Sequence, residues 1–575
     1  MAAPALNTKS PLSDSQSKRN EKNPILVVKD SSDFYSPQTG IYTSKHPTVP
    51  LPTDPFLDAV SFIFSHKHDG QTALIDSVSG SSVLYKDLLP MIKSMAVGIQ
   101  TMGVKKGDIV LLLLPNSITF PVVFLSVVYV GAIVSTMNPL SSLLEIKKQV
   151  HELGPCMAFT CQENDLKLES FGLPLVCVPE RFDFDMESDK LEAFYKLVNG
   201  GYDVGLFQKP VIRQEDTAAI LYSSGTTGAS KGVILTHKNL ISMVELMVRH
   251  EASMYEDWPG SKNVYLAAIP MFHIYGIALF VTGLFSMGTC VVVMRKFDAR
   301  EAMKAIDQFG VTHFPLVPPI LVAMSKNAKG VVGCIPLKSL KQVSSAAAPV
   351  SGRDIHDFLT TFPHVDFIQG YGMTESTAVG TRGFNTKKLR KYSSVGLLAP
   401  NTEAKVLDLV TCSFLPPGRV GQLCLRGPGI MKGYLNNEEA TALTVDEEGW
   451  LYTGDIGYID NDGYIFILDR LKDMIKYKGF QVAPVDLENI LISHPEVQDA
   501  AVTSVSDKEC GEIPVAFVVK VPGSSTTEAE IVHHVASQVA PYKKVRKVVF
   551  VKRIPRNPAG KILRRELKNS IPSRL

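Results

Sequence analysis

A chain of 575 residues is too long for a single hydrophobic core and requires two or more domains. Its 45% hydrophobic and 20% charged residues are those of a globular protein, which excludes a disordered or collagen-like chain. The net charge of +2 gives no reason to expect a nucleic acid as partner, and eight scattered cysteines without a C-x-x-C pair exclude a disulfide framework or a structural zinc site.

In chain order, residues 1–40 begin "MAAPALNTKSPLSDSQSKRNEKNP", polar and without an apolar h-region. They read as a disordered tail and not as a secretory signal. From about 55 to 400, β-branched apolar runs alternate with amphipathic stretches, the pattern of α/β layers built on mostly parallel sheets. "DIVLLLL", "CVVVM", "THFPLV" and "VDFIQG" are predicted strands; "AREAMKAIDQFG" and "GRDIHDFLTTF" are predicted helices. The uncharged segment 109–142 is cut by Pro115, Pro121, Gly131 and Pro139 into strand, helix and strand lengths, so no membrane span is expected there or in 264–294.

Between 400 and 468 the character changes to short strands and turns, such as "EAKVLD" and "GQLCLRG", which predicts a small β-rich subdomain within an N-terminal domain of residues 41–468. The remaining 107 residues, from Asp469, read as a separate α+β module. That module holds 18 Lys+Arg against 12 Asp+Glu, which leaves 41 against 45 for the rest. A basic module facing a larger acidic one suits a polyanionic ligand held between them, although a solvated basic surface gives the same count. The chain closes on Ser573-Arg574-Leu575, a variant of the S-K-L address read by the peroxisomal import receptor.

The chemistry begins at "YSSGTTGASKG", residues 222–232. This is not a Walker A loop: Ser230 stands where that pattern needs glycine, and Gly232 follows Lys231 where it needs a hydroxyl. The segment follows a predicted strand, "TAAILY", and precedes a predicted helix over "VILTHKNLISMVELM". Backbone N–H groups and hydroxyls of Ser223, Ser224, Gly225, Thr226 and Thr227 can converge on an anion, and Lys231 adds charge. Alone, such a string is also compatible with a flexible surface loop, the less favoured of the two readings.

Four further segments follow in order: "QGYGMTE" at 369–375, "WLYTGDIGYID" at 450–460, "DRLKDMIKYKGFQVAPVDLE" at 469–488 and "PRNPAGKILRREL" at 555–567. With the loop, they make residues 40–575 resemble the adenylate-forming superfamily of acyl-CoA ligases, luciferases and peptide-synthetase adenylation domains. Within it the chain is most similar to the plant 4-coumarate:CoA ligase-like group.

The resemblance implies a large N-terminal domain of stacked, mostly parallel sheets with helices, and a smaller, mobile α+β C-terminal domain hinged at 469–470. It implies ATP, Mg²⁺ and coenzyme A, with a carboxylic acid as the small-molecule substrate of a monomeric ligase. The loop would close over the β- and γ-phosphates. Lys561 would bridge the carboxylate and the α-phosphate, Glu375 would hold Mg²⁺, and Thr374 would contact phosphate. Asp455 would accept from the ribose hydroxyls with Arg470 nearby, while Ala347, Gln369, Gly370 and Tyr371 would line the nucleotide site. After the hinge turns, Lys472, Lys476 and Gln481 would approach the adenylate, and Lys478, Gly479 and Lys296 would approach CoA. His273 would mark the junction of the acid pocket and the thiol tunnel.

The acyl pocket would take Tyr275, Gly276, Ala278, Leu279, Ala346, Ala378, Val379 and Gly380. Here the chain departs from coumarate ligases, having "SSAAAP", "STAVG" and Gln422 in place of the usual residues. Small residues at Ala278, Ala378 and Gly380 predict room for a longer acid, and loss of Asn- and Lys-type partners disfavours a para-hydroxyl. The expected substrate is an extended aryl-alkenoic or cinnamate-type acid, or a medium-chain fatty or oxylipin-precursor acid. A luciferase-like oxygenase shares the motifs, and a non-catalytic binder would be expected to lack Lys561, Glu375 or Lys231.

Overall fold

The structure is a computed structural model and describes residues 34–182, 189–199, 208–223, 230–254, 260–330, 337–385, 390–478, 480–507, 510–557 and 560–570. Two sheets dominate. One has seven strands, whose parallel core runs through Ile109–Leu113, Ile133–Thr136, Met157–Thr160, Leu175–Cys177 and Thr217–Ser223. The other has nine, with Thr72–Asp76, Cys290–Val293, Val264–Ala267, His313–Leu316, Gln342–Ser345 and Asp366–Tyr371 parallel and antiparallel strands at both edges.

Helix Phe120–Tyr129 is buried at every position, as expected of a crossover between strands that are apolar on both faces. Among the described residues, no helix is long and apolar enough to cross a membrane.

Two sequence expectations need correction. The predicted helix after the 224–229 loop begins only at His237, because Lys231–Thr236 is a strand antiparallel to Thr217–Ser223, with Lys231 opposite Ser223. Val233, Ile234 and Thr236 are β-branched and pack better on a pleated sheet than in a helix. Thr236 then caps the helix reciprocally with Asn239. The expected tail also ends sooner: Tyr35–Ser36 and Ile41–Thr43 form a hairpin on the edge of a six-stranded antiparallel sheet. That sheet otherwise consists of Glu403–Leu407, Gly421–Arg426, Leu451–Ile459 and Ile465–Arg470. Tyr42 is buried there and donates its hydroxyl to Leu415 O at 2.8 Å.

Beyond Arg470 a five-stranded sheet, with helices Pro484–Ser493 and Glu528–Ala536, encloses its own core around Leu487, Leu491, Val518 and Ile531. It meets the larger part where Arg353 donates to Ile492 O at 2.7 Å. At Gly560, whose φ is +78°, an added Cβ would stand 2.8 Å from Pro319, so the residue immediately before Lys561 packs closely on a connection of the nine-stranded sheet.

Candidate active site

The loops that leave the carboxyl ends of Val264–Ala267, Gln342–Ser345 and Asp366–Tyr371, together with Ser223 at the end of strand Thr217–Ser223, border one cavity of about 570 Å³. That is where open α/β sheets bind ligands. Lys472, Lys476, Asn557 and Lys561 close it from the C-terminal module.

Asp455 organises one wall. It lies on strand Leu451–Ile459, opposite Arg470 in the register. One carboxylate oxygen sits 2.6 Å from Arg470 Nε, and the other accepts the Tyr371 hydroxyl at 2.6 Å. Burial pushes its carboxyl above the usual range, and Arg470 and Tyr371 pull it back. Glu375 stands beside the Thr217–Ser223 strand, where one oxygen accepts from Ser223 at 2.8 Å and from the Tyr434 hydroxyl at 2.9 Å. A single carboxylate fixed by two hydroxyls and facing a cavity suits Mg²⁺, which takes one or two protein carboxylates and completes its octahedron with phosphate and water. No cluster of three or more metal-binding side chains exists among the described residues.

Lys561 sits on a short turn in which Asn557 Oδ1 accepts its N–H at 2.9 Å. Burial, with Arg470 and Lys472 beside it, brings its ammonium down to about 8. A depressed lysine in a cleft is a cation waiting for anions.

His273 caps the turn that carries Tyr275, and burial holds its imidazole down to about 4, so it is neutral at physiological pH. His273, Ile274 and Thr374 line both this cavity and a second one of about 360 Å³, whose walls include Ser141, Lys148 and Tyr222. The ring therefore stands between two chambers.

The helix that follows winds as a π-helix over Ile277–Thr282, and the neighbouring Val244–Arg249 does the same. Such wide turns often occur at functional sites.

Of the residues singled out in the sequence, Ser223, His273, Tyr275, Ala346, Ala347, Gly370, Tyr371, Thr374, Glu375, Ala378, Arg470, Lys472, Lys476 and Lys561 share the cavity wall. Asp455 stands just behind it through Tyr371 and Arg470. Lys231 is close by, with its amine 4.7 Å from the Tyr434 ring centre. Gln369 turns away and donates to Tyr392 O, while Lys296 and Lys478 are exposed and off the cavity. Ser224, Gly225, Thr226, Thr227 and Gly479, and the side chain of Gln481, lie outside the described residues.

The acyl-pocket assignments need the larger correction. Gly276, Ala278, Leu279, Val379 and Gly380 do not reach the cavity wall. Ala278 and Leu279 pack into the core, and Val379 is buried. A Cβ on Gly276 would meet Pro270 O at 2.1 Å, and one on Gly380 would meet Tyr371 O at 2.4 Å, so these glycines let backbone segments touch. Gly380→Leu is therefore expected to lower stability and to reduce activity on short and long acids alike. Ala378, on the wall, is the position to fill. Ala378→Leu should lower kcat/KM for the longest accepted acid about tenfold, at roughly 1 kcal/mol per displaced methylene, and leave shorter acids unaffected. Steady-state kinetics over a chain-length series separates the two variants.

The sequence reading missed Met247, Tyr434 and Arg382 on the wall. None belongs to a motif, and the strand pairing that brings Arg382 opposite Gly370 is long-range.

Comparison with known proteins agrees with this arrangement. The family "AMP-binding enzyme" matches residues 64–435, and "AMP-binding enzyme C-terminal domain" matches 486–561. The chain is 59% identical over 547 residues to 4-coumarate–CoA ligase-like 6 of Arabidopsis thaliana, covering 94% of this chain and 96% of that one. It is 45% identical to peroxisomal OPC-8:0-CoA ligase 1 of the same organism, covering 94% and 98%. Among solved structures, ATP-bound MatB from Rhodopseudomonas palustris superposes with a TM-score of 0.79 at 26% identity, covering 89% of this chain and 99% of that one.

Proposed function

The chain belongs to the AMP-binding enzyme family, as an acid–CoA ligase of the 4-coumarate–CoA ligase-like group, and from that premise we propose the course of its reaction. A carboxylate is a poor electrophile, and its attack on the α-phosphate of ATP brings two anions together. Lys561 lies between them as a cation, supplying charge where it develops in the transition state. The carboxylate oxygen bonds to the α-phosphorus, pyrophosphate leaves, and an acyl-adenylate remains. Asp455 accepts from the ribose hydroxyls, and Thr374 contacts the phosphate. Glu375, held by Ser223 and Tyr434, would carry Mg²⁺, which when bound offsets the charge of the phosphates.

The C-terminal module then turns about residues 469–470, withdraws Lys561 and presents the 476–481 hairpin. The CoA thiol reaches the acyl carbon past neutral His273; as the C–S bond forms, the thiol proton passes to solvent, the acyl C–O bond breaks and AMP leaves. The single observation that carries the reading is the convergence of Lys561, the Asp455–Arg470 pair and Glu375 around one cavity.

The substrate is an aromatic acid of the cinnamate or extended aryl-alkenoic type, or a medium-chain fatty or oxylipin-type acid. A panel of such acids, scored for pyrophosphate, AMP and thioester with and without CoA, tests the reading. Thioester and AMP in equal amounts with at least one acid support it. ATP untouched by every acid contradicts it.

We propose a peroxisomal location, supported by the tripeptide at 573–575, which lies outside the described residues, and by the relative named peroxisomal. A reporter fused to the N-terminus should enter peroxisomes and stay cytosolic once 573–575 are removed, with ligase activity unchanged. Import of the truncated protein would contradict the address.

A further inference from the structure

The acyl side of the cavity does not end on hydrocarbon. Arg382, on strand Thr381–Arg382, is held opposite Gly370, and its side chain joins Met247, Tyr275 and Ala378 on the wall. Only about a tenth of it is exposed. Its Nε stands 2.7 Å from Glu251 Oε2, yet the N–H is poorly aimed at that oxygen and has no well-aligned acceptor. The Tyr275 hydroxyl lies 3.3 Å from both Ser344 O and Ser344 Oγ and also pairs with the Arg382 side chain. Burial opposes the guanidinium charge, but Glu251 and the tyrosine hydroxyls of Tyr275 and Tyr265 hold it firmly ionised.

A pocket built for a methyl terminus would be lined by apolar side chains throughout. Burying an ion pair there is costly unless its remaining hydrogen-bonding capacity is used. We propose that Arg382, Glu251 and Tyr275 form a distal polar subsite that selects acids with a neutral oxygen, a phenolic hydroxyl or a ketone, at the end remote from the carboxylate.

This deepens the ligase reading and rests on it. The guanidinium, backed by Glu251, donates to the substrate oxygen, and a phenol can in turn donate to or accept from the Tyr275 hydroxyl on the same wall. A second carboxylate is excluded, because Glu251 already neutralises Arg382 and would repel another anion across a buried site. The subsite also removes the ground for disfavouring a para-hydroxyl: the Asn- and Lys-type partners are absent, but a buried arginine from a different strand stands in the cavity.

The test uses the full chain and matched acid pairs that differ only in the distal oxygen. One pair is cinnamic against 4-coumaric acid; the others are unbranched acids from hexanoic to tetradecanoic against their keto analogues with the carbonyl one carbon from the end. Pyrophosphate release gives kcat/KM for each. At least one oxygenated acid should exceed its partner by about tenfold or more, and which pair does so tells phenol from ketone. The matching dicarboxylic acid should be turned over poorly.

The double variant Arg382→Met with Glu251→Gln removes the pair without leaving a lone buried charge, and should erase the preference by lowering the oxygenated acid and raising its plain partner. Tyr275→Phe, a smaller change, should weaken the preference without abolishing turnover. Equal turnover within every pair by the unmodified protein overturns the subsite even where the ligase reaction is plain. Preference for the dicarboxylic acid also overturns it. Absence of turnover with any acid overturns the ligase reading itself.

Discussion

Lys561→Ala is expected to slow acyl-adenylate formation by about 10²–10³-fold, the scale on which one preorganised transition-state contact is lost. The same variant should convert supplied acyl-adenylate and CoA to thioester at nearly the unmodified rate. The asymmetry follows from its place: the amine enters the cavity from a turn of the C-terminal module, and a thiol attacking the acyl carbon has no use for a cation there. Stopped assays of each half-reaction check it, and equal loss in both would contradict the two-orientation account.

A pH profile adds a second readout. The lysine acts protonated and burial lowers it to about 8, so kcat/KM for adenylation should fall as pH rises through about 8. Lys561→Arg, although weaker overall, should move that falling limb upward, since a guanidinium keeps its proton. The same depression means that the ligand-free protein binds fewer protons than its unfolded chain between about 8 and the ordinary lysine value of 10.5, and stability through this group rises with pH across that window. Anionic ligands relieve the cost by pairing with the amine.

Asp455→Ala should be the most damaging change on the nucleotide side. It strips the partner from Arg470 and the acceptor from the Tyr371 hydroxyl in one step, inside the protein. Breaking a buried pair from one side costs about 3–5 kcal/mol. Urea unfolding should register a loss of that size, and ATP binding should fall below detection. Asp455→Asn combined with Arg470→Met removes both charges and should recover much of the stability but not ATP binding. Unchanged unfolding and ATP affinity in Asp455→Ala would contradict the assignment.

What the sequence made legible was chiefly what is local. Alternation of apolar runs placed the Ile109–Leu113 and Cys290–Val293 strands and the Phe120–Tyr129 helix, and ordered motifs named Lys561 and Glu375, which line one cavity, and Asp455, which stands behind its wall through Tyr371 and Arg470. What it hid depends on contacts between distant segments. Lys231–Thr236 reads as helix until Thr217–Ser223 offers it an antiparallel partner. Gly380 reads as vacant pocket space until the carbonyl of Tyr371 is found against it. Arg382 and Glu251 carry no motif at all, and only the fold brings an arginine on the strand next to a sheet edge onto a glutamate of helix His250–Ser253.

The measurement that bears most directly on the account is isotopic. The acid substrate carries heavy oxygen in its carboxylate and is incubated with the protein, ATP and CoA, and the recovered AMP is analysed by mass. An acyl-adenylate intermediate requires one labelled oxygen to pass from the carboxylate into the phosphate of AMP, with none in pyrophosphate. Label found in inorganic phosphate with ADP as coproduct, or thioester formed with unlabelled AMP, would contradict it.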